Sequence, residues 1–483
     1  MYILGNLEPK NVFRFFEELS RIPRGSGDEK AASDYIVNFA KERGLEVYQD
    51  KALNVIIKKP ATAGYENSPG VIIQGHIDMV NEKNQDVDHD FSKDPIKLVA
   101  DGDFIKAFGT TLGADNGVAV ALAMAILDSS ELKHPAIEVM LTTDEEVGMG
   151  GAREIDCSNI KGKRFINLDC GPEGYFFAGC AGGLMQVIRI KAERTNIPQG
   201  FETFALKVRG LKGGHSGACI HKELANSNKL LGRLLDQINS RFDIFLSRVS
   251  GGLKDNAIPR EADALINIKE SDTEKVIELV SKIENELKQE YRNTEPDLRI
   301  TLEKTAVASE AFTKDCTGKV IKALMLIPYG VVAKSLDIEG LTETSTNLGV
   351  VETTDEEIKF NSATRSSVGT RKAYMKDQFK ALAELLGAEL DYINEYPAWE
   401  FNPESQLRDI CVSTYEEMFG KKPSVTATHG GLECGILSEK LPGVDIVAFG
   451  PDAEGAHTPD EKLSIASMER TWRFLIKLLE NLK

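Results

Sequence analysis

The sequence predicts an α/β fold: a mainly parallel sheet with helices on both faces, and an inserted α+β domain with an antiparallel sheet. Short apolar strands alternate with helices up to Gly182-Gly183, where the pattern changes to longer alternating strands. The first pattern resumes near Trp399. A chain of 483 residues is long enough for two or three domains. We therefore predict a first domain formed by residues 1–183 and 399–483, with residues 184–398 inserted into it.

Periodicity predicts the elements of the first domain in chain order. Residues 10–44 have the apolar spacing of two helices, separated by the breaker Ile22-Pro-Arg-Gly-Ser-Gly. A tight turn at Gly113 opens a further helix, and a last helix begins near Ser464. Short runs rich in β-branched residues predict buried strands. These strands cover 45–48, 54–58, 70–76, 136–143, 163–169 and 445–449.

The inserted domain shows alternating strands with amphipathic helices between them. Alternation of apolar and polar residues is typical of a sheet that is buried on one face. The predicted strands cover 204–209, 263–268, 298–302 and 357–362, and the predicted helices cover 224–238, 275–291, 319–327 and 373–386. A weak duplication is one interpretation of this domain, because Asn256-Ala-Ile-Pro and Asn347-Leu-Gly-Val each precede a strand.

Composition excludes several classes of protein. The hydrophobic share of 42% is that of a globular chain, and no apolar run approaches the roughly 20 residues that span a bilayer. A formal charge of −17 disfavours nucleic acid and anionic membranes as partners. The first residues lack the pattern of a secretory signal, so we expect a cytoplasmic protein. The seven cysteines are scattered without Cys-x-x-Cys, which disfavours disulfides and a thiolate zinc site.

Polar side chains gather where the predicted strands of the first domain end. In parallel sheets these carboxyl ends meet at one edge, where ligands bind. Asp115 lies in the turn Gly-Ala-Asp-Asn-Gly, and His457 lies in a late glycine-containing turn. The residues at strand ends are His76, Asp78, Glu145, Glu146 and Asp169.

Each of these residues also has an ordinary interpretation, such as a helix N-cap for Asp115 or a solvated acidic turn for Glu145-Glu146. Adjacent carboxylates at a buried sheet end nevertheless repel each other unless a cation is near. Two histidines and three carboxylates suit two divalent ions, zinc first and manganese or cobalt as alternatives. A bridging carboxylate holds such ions ~3.5–4 Å apart.

The remaining histidines carry weaker signals. His89 in Asp-His-Asp and His134 before a proline are predicted to lie at the surface. His221 and His429 receive no function, and His221 is interpreted as structural.

Several motifs together resemble one family, the dizinc peptidases that include carboxypeptidase G, aminoacylase and the cytosolic dipeptidases. They occur in the family's order over residues 76–457. The long insert and Thr428-His-Gly-Gly-Leu-Glu-Cys-Gly resemble the dipeptidase subgroup in particular. The other motifs are Gly-His-Ile-Asp, Gly-Ala-Asp-Asn-Gly, Thr-Asp-Glu-Glu-Val-Gly, Leu-Asp before Cys-Gly, Gly-Gly-His-Ser-Gly and Gly-Ala-His-Thr-Pro-Asp-Glu.

The resemblance implies a ligand for every position of a two-zinc site. His76 and Asp169 would bind one ion, Glu146 and His457 the other, and Asp115 would bridge the two. The resemblance also implies a cis peptide bond between Asp115 and Asn116.

The resemblance further implies how the first domain acts as the catalytic domain. Asp78 would orient His76. Glu145 would be the general base, taking a proton from the metal-bridging water and passing it to the leaving amine.

The insert is similar to the family's lid and would supply substrate contacts. His215 would donate a hydrogen bond to the oxyanion, Asn256 would be a second lid contact, and Arg365 would hold the C-terminal carboxylate. Gly431 and Glu433 would also meet the substrate, with Glu433 suited to a free amino group. In relatives with smaller lids the histidine comes from the neighbouring subunit, so the sequence leaves open whether His215 acts within the chain or across a homodimer.

These implications predict a cytoplasmic dizinc dipeptidase that hydrolyses dipeptides, including Xaa-His types. An aminoacylase-like enzyme or a tripeptide hydrolase would use the same metals and base. A non-catalytic metal-binding or peptide-binding protein would need the ligands but not Glu145, so that residue favours an enzyme.

Overall fold

The computed structural model describes residues 2–306 and 308–483, and the chain divides into two compact units. The first unit contains the residues up to 179 together with 401–427 and 432–483, and the second contains 180–400 and 428–431. Domain boundaries at residues 183 and 398 stay a prediction. Among the described residues, no helix combines the length and the apolar character that a membrane span requires.

The first unit is built on an eight-stranded mixed sheet. Its four central strands run parallel to one another, and the pairs assigned on either side of them are antiparallel. In spatial order the strands are Glu46–Gln49, Val55–Lys59, Ile137–Thr142, Val71–His76, Arg164–Asn167, Asp445–Ala448, Tyr175–Cys180 and Ser424–Thr428. The predicted parallel arrangement is therefore found at the centre of the sheet.

Helices and a small second sheet complete the first unit. The helix Ala114–Asp128 is apolar all round and almost wholly buried, as expected for a helix inside a core. The other helices are Lys10–Ser20, Lys30–Glu42, Gly150–Glu154, Gln406–Phe419, Glu433–Lys440 and Ile465–Asn481. The small sheet consists of Leu98–Asp101, Phe104–Ala107, Ala453–Glu454 and Lys462–Ser464.

Two buried strands bring polar groups to one edge of the large sheet. Val71–His76 and Ile137–Thr142 are buried at every position, which suits their β-branched and apolar residues. They are parallel neighbours, and His76 lies opposite Thr142. The loops that follow them, with Asp78 and Glu145, therefore leave from the same edge.

The second unit is based on a nine-stranded sheet in which every assigned pair is antiparallel, as predicted. Its strands are Arg299–Lys304, Phe201–Arg209, Ala262–Lys269, Ile244–Gly251, Thr342–Thr353, Glu357–Ser366, Gly182–Lys191 and Glu389–Tyr396, with Gly330–Lys334 paired to Thr342–Thr353. Two short ladders pair Arg194–Asn196 with Glu310–Phe312 and Gly214–His215 with Ala257–Ile258. The helices are Ser227–Asn239, Thr273–Glu290, Lys314–Leu326 and Gly369–Leu386, with single 3₁₀ turns at Ile220–Lys222 and Glu270–Asp272.

The strand Thr342–Thr353 escapes prediction because its first half is polar yet buried. Its side chains find partners on the neighbouring strand, with Thr344 Oγ1 2.9 Å from Ser366 Oγ and Thr364 Oγ1 donating to Thr346 Oγ1 over 3.2 Å. Buried hydroxyls are tolerated when such partners are present. A hydropathy pattern does not record those partners.

Candidate active site

His76 ends a buried strand and lies against Asp78. The histidine is 1% exposed and the aspartate is fully buried. His76 Nδ1 lies 3.3 Å from Asp78 Oδ1 and 3.2 Å from the Asp78 carbonyl oxygen. A ring that donates through Nδ1 keeps Nε2 as its ligand atom. The spacing of two residues on an extended backbone thus brings these groups together, as the sequence indicated.

Asp115 lies between the two histidines that the sequence singled out. Its Oδ1 is 3.1 Å from His76 Nε2, and its Oδ2 is 3.4 Å from His457 Nε2. The preceding Gly113 has φ of 70°, and the Asp115–Asn116 peptide bond is cis, which confirms the prediction. The carboxylate therefore turns one oxygen toward each histidine.

Two further carboxylates complete a group on each side of Asp115. Glu146 Oε2 lies 3.0 Å from His457 Nε2, and Asp169 Oδ1 lies 3.6 Å from His76 Nε2. One ligand atom each from His76, Asp115 and Glu146 lie within 4.8 Å of one another. Glu146 Oε1 is buried without a hydrogen-bond partner among the described residues. This set of imidazole and carboxylate donors fits divalent ions of the zinc type.

The pKa values of these groups are shifted by the excess of negative charge around them. Hydrogen bonds with Asp115 and Glu146 raise the pKa of His457 to about 10. Burial raises the pKa of Asp169 to about 6, and the neighbouring charge of Asp115 adds to that shift. In the protein alone, protonated histidines balance part of the carboxylate charge, a balance that metal cations would also provide.

Glu145 lies beside this group in a partly buried position. Its Oε2 is 3.9 Å from His76 Nε2. Burial raises the pKa of Glu145 strongly; His76 lowers it in part, while Asp169 and Glu433 raise it further. With its pKa raised to about 9, Glu145 holds its proton at neutral pH, and cations at the neighbouring ligands would lower that pKa toward the range in which a carboxylate accepts and returns a proton.

Asp78 also holds the loop that carries the two glutamates. Its carboxylate accepts the backbone N–H groups of Glu145, over 3.1 Å, and Glu146, over 3.2 Å. Ser26 Oγ donates to Asp78 Oδ2 over 2.8 Å. One aspartate therefore fixes both the His76 ring and the acidic loop. Ser26 is a site residue that the sequence analysis missed, because no local pattern connects residues 26 and 78.

Two other buried contacts were missed as well. Asn116 Nδ2 donates a short hydrogen bond to Asp169 Oδ1 and a second, of 3.0 Å, to the Leu168 carbonyl. Asn116 belongs to the Gly-Ala-Asp-Asn-Gly motif, so the motif itself was the available signal. The second missed contact is the hydrogen bond from Gln74 to Glu433, and no motif in the sequence pointed to Gln74.

Glu433 lies in the first unit and is fully buried. Its Oε2 accepts from Gln74 Nε2 over 2.6 Å and from Thr142 Oγ1 over 2.7 Å. Burial raises its pKa to about 7. Gln74 and Thr142 lie on the two parallel strands that lead to the site, so Glu433 connects their ends.

His215 lies on one strand of a short two-stranded ladder in the second unit, and Asn256 directly precedes the other strand. Gly214–His215 pairs with Ala257–Ile258, and the Ser216 N–H donates to the Asn256 carbonyl over 2.8 Å. His215 Nδ1 accepts the backbone N–H groups of Gly217 and Ala218, over 3.2 and 3.0 Å. The neutral ring therefore carries its proton on Nε2 and presents an N–H donor.

Arg365, Tyr396 and Gly431 form a second group in the same unit. Arg365 Nη1 donates to Tyr396 Oη over 3.3 Å, and Arg365 Nε is buried without a partner in the described part of the chain. A Cβ atom on Gly431 would lie 2.8 Å from the Tyr396 ring, so a larger residue there would require the ring to move. His429, which the sequence left without a function, lies nearby with Nε2 2.7 Å from Ser345 Oγ.

The surface positions predicted for His89 and His134 are wrong. His89 is 5% exposed and packs edge-on against Phe91, with ring centroids 4.5 Å apart. His134 is fully buried, with Nδ1 2.7 Å from the Pro135 carbonyl oxygen. Polar neighbours in the sequence suggested exposure, but tertiary packing covers both rings.

The chain is similar in sequence and in structure to known metallopeptidases. The sequence profile described as peptidase family M20/M25/M40 matches residues 72–481. The chain is 39% identical over 479 residues to the cytosol non-specific dipeptidase of Escherichia coli, covering 99% of each chain. It is 40% identical to an aminoacylhistidine dipeptidase from Vibrio alginolyticus, whose crystal structure matches with a TM-score of 0.94 over 99% of this chain and 97% of that one. An aminopeptidase PepT from Bacillus cereus is 15% identical, and its TM-score of 0.57 over 99% of both chains shows a shared fold.

Proposed function

Since the chain belongs to peptidase family M20/M25/M40, we propose that it is a metal-dependent dipeptidase that accepts Xaa-His substrates among others. The position of Asp115 carries the proposal, because its two carboxylate oxygens face His76 and His457. The names of the two relatives about 40% identical to this chain support the substrate class.

Two zinc ions per chain are the proposed cofactors, with manganese or cobalt as alternatives. His76, Asp115 and Asp169 would hold one ion, and His457, Asp115 and Glu146 the other. When bound, such ions polarise a carbonyl group and make hydroxide available near neutral pH.

Glu145 is the proposed general base. Its position 3.9 Å from His76 Nε2 suits a group that takes a proton from the attacking water and delivers it to the nitrogen of the leaving amine as the C–N bond breaks. Bound cations would lower its raised pKa so that it can accept that proton. Asp78 is proposed to position the ligand and the base relative to each other, because it binds both the His76 ring and the Glu145 backbone.

The proposed substrate contacts are His215, Asn256, Arg365, Gly431 and Glu433. The Nε2–H of His215 suits a developing oxyanion, and the buried Nε of Arg365 suits a carboxylate. Glu433 Oε1, which lacks a partner among the described residues, suits an amino group. We also propose a cytoplasmic location and a homodimer; the homodimer rests on the resemblance of the second unit to the family's lid.

A chelation experiment with a substrate panel tests this function. The protein is assayed before and after metal removal on an Xaa-His dipeptide, its C-terminal amide, a tripeptide and an N-acetyl amino acid. We expect chelation to abolish hydrolysis and added Zn²⁺ to restore it. The free dipeptide should exceed its amide by about 10–100-fold, the value of a charge-assisted hydrogen bond to Arg365. Faster turnover of the N-acetyl amino acid or the tripeptide would contradict the dipeptidase function.

A further inference from the structure

Two buried side chains of opposite charge hold the turn that presents Asp115. Arg24 and Glu461 are each 2% exposed, and both lie in the first unit. Neither residue is among the ligands, the base or the substrate contacts proposed above. Burying an arginine and a glutamate is costly unless their hydrogen bonds are satisfied, so the partners of these groups indicate what they do.

Arg24 binds carbonyl oxygens of two segments that carry metal ligands. Its Nη1 donates to the Ile77 and Asp78 carbonyls over 2.7 and 3.1 Å, and its Nη2 donates to the Gly113 carbonyl over 2.5 Å. Ile77 follows His76 directly, and Gly113 precedes Asp115 by two residues. Burial lowers the pKa of Arg24 to about 10, so the guanidinium stays charged at neutral pH.

The carboxylate of Glu461 binds the backbone N–H groups of the same turn. Its Oε2 accepts from Leu112 and Gly113 over 2.7 and 2.9 Å, and its Oε1 accepts from Asp115 over 3.2 Å. Glu461 follows His457 by four residues, so it ties the loop of that histidine to the Asp115 turn. Gly113 is held from both directions, its carbonyl by Arg24 and its N–H by Glu461.

The turn leaves no room for a side chain between these partners. Gly113 has φ of 70°, and a Cβ atom there would lie 2.4 Å from Arg24 Nη2. The glycine permits both the left-handed backbone and the close approach of the guanidinium.

We infer that Arg24 and Glu461 are positioning residues that hold Asp115 where it can bridge two metal ions, and that they thereby set the affinity of the site for metal. The pair connects the segments of His76, Asp115 and His457, which are otherwise far apart in the chain. The inference rests on the metal site proposed above. Partners behind metal ligands typically contribute about 10–100-fold in metal affinity.

Glu461→Gln and Arg24→Lys test this role. The glutamine amide would turn a donor toward backbone N–H groups, and lysine cannot reach two segments with a planar fork. The measurement is the dissociation constant for Zn²⁺ from competition with a chelator. We expect it to rise about 10–100-fold in both variants, while KM for an Xaa-His dipeptide at saturating zinc changes less than about threefold.

The matched controls are Glu454→Gln and Arg21→Lys, since both residues are exposed, lie in the same segments and pair with Lys462 and Glu17, which are not among the proposed metal ligands. They should bind zinc like the parent. Zinc affinity within twofold of the parent in Glu461→Gln would overturn the inference, even if its unfolding temperature fell; if that variant does not fold, the zinc affinity of Arg24→Lys decides by the same limit. Absence of dipeptide hydrolysis in the parent would instead contradict the proposed function and leave the zinc titration interpretable.

Discussion

The two units carry polar clusters of opposite electrostatic character. In the first unit, carboxylates surround His76 and His457 and raise the pKa of both rings. In the second unit, burial and the neighbouring Arg365 lower the pKa of His215 and His429. The same residue type thus lies among negative charges in one unit and is a neutral hydrogen-bonding group in the other. The surroundings of a histidine, rather than its presence in a motif, therefore determine its chemistry.

The largest expected effect tests whether the acidic cluster contains a base as well as ligands. Glu145→Gln keeps the size of the side chain but cannot accept a proton, so kcat should fall about 10²–10⁴-fold. Bound metal, measured by elemental analysis, should remain at the parent's level. Glu154→Gln, at an exposed position of the helix Gly150–Glu154, is the control and should keep full activity. Substantial turnover by Glu145→Gln would contradict the assignment of Glu145 as the general base.

A smaller effect is expected from the donor of the second unit. His215→Ala removes an N–H that we propose to stabilise the oxyanion, so kcat should fall about 10²–10³-fold with a smaller change in KM. Metal content should not change. The exposed His221, in the same segment, supplies the control His221→Ala. A change confined to KM would show that His215 binds the ground state and not the developing charge.

The smallest expected effect is on the pH dependence of stability, and it tests whether His429 is neutral in the folded protein. Burial lowers the pKa of His429 to about 4, whereas an unfolded histidine has a pKa near 6.5. Between these values the unfolded chain binds more protons, so stability is lost as the pH falls from about 6.5 to 4. His429 should account for about 2–3 kcal/mol of that loss.

His429→Gln should remove that part of the pH dependence. Unfolding of parent and variant would be followed from pH 7 to pH 4, and the difference between them isolates His429 from the other titrating groups. Parallel profiles for the parent and His429→Gln would mean that the ring binds its proton with the same pKa in the folded and the unfolded protein, which would contradict the lowered pKa.

Local sequence patterns were sufficient to predict most of the architecture. The runs that lead to His76 and Glu145 contain β-branched and apolar residues, and such runs form buried strands almost wherever they occur. Their polar ends then had to meet at one edge of a parallel sheet. The ligand assignments came from motif resemblance, and the structure brings His76, Asp115, Glu146, Asp169 and His457 close together.

The supporting contacts could not be predicted in this way. Glu461 binds the backbone N–H of Asp115, 346 positions earlier in the chain, and Glu433 binds Gln74 across 359 positions. The polar strand Thr342–Thr353 and the buried rings of His89 and His134 likewise contradict their local composition.

The amino-acid sequence by itself determined most of the segments that become strands and helices, and the acidic and imidazole groups at their ends, because these properties follow from periodicity over a few residues; the polar strand Thr342–Thr353 is an exception. Only the tertiary structure decided which buried charges serve those groups. A hydrogen bond between distant segments depends on how whole layers pack, and that packing brings Arg24 and Glu461 to the turn of Asp115.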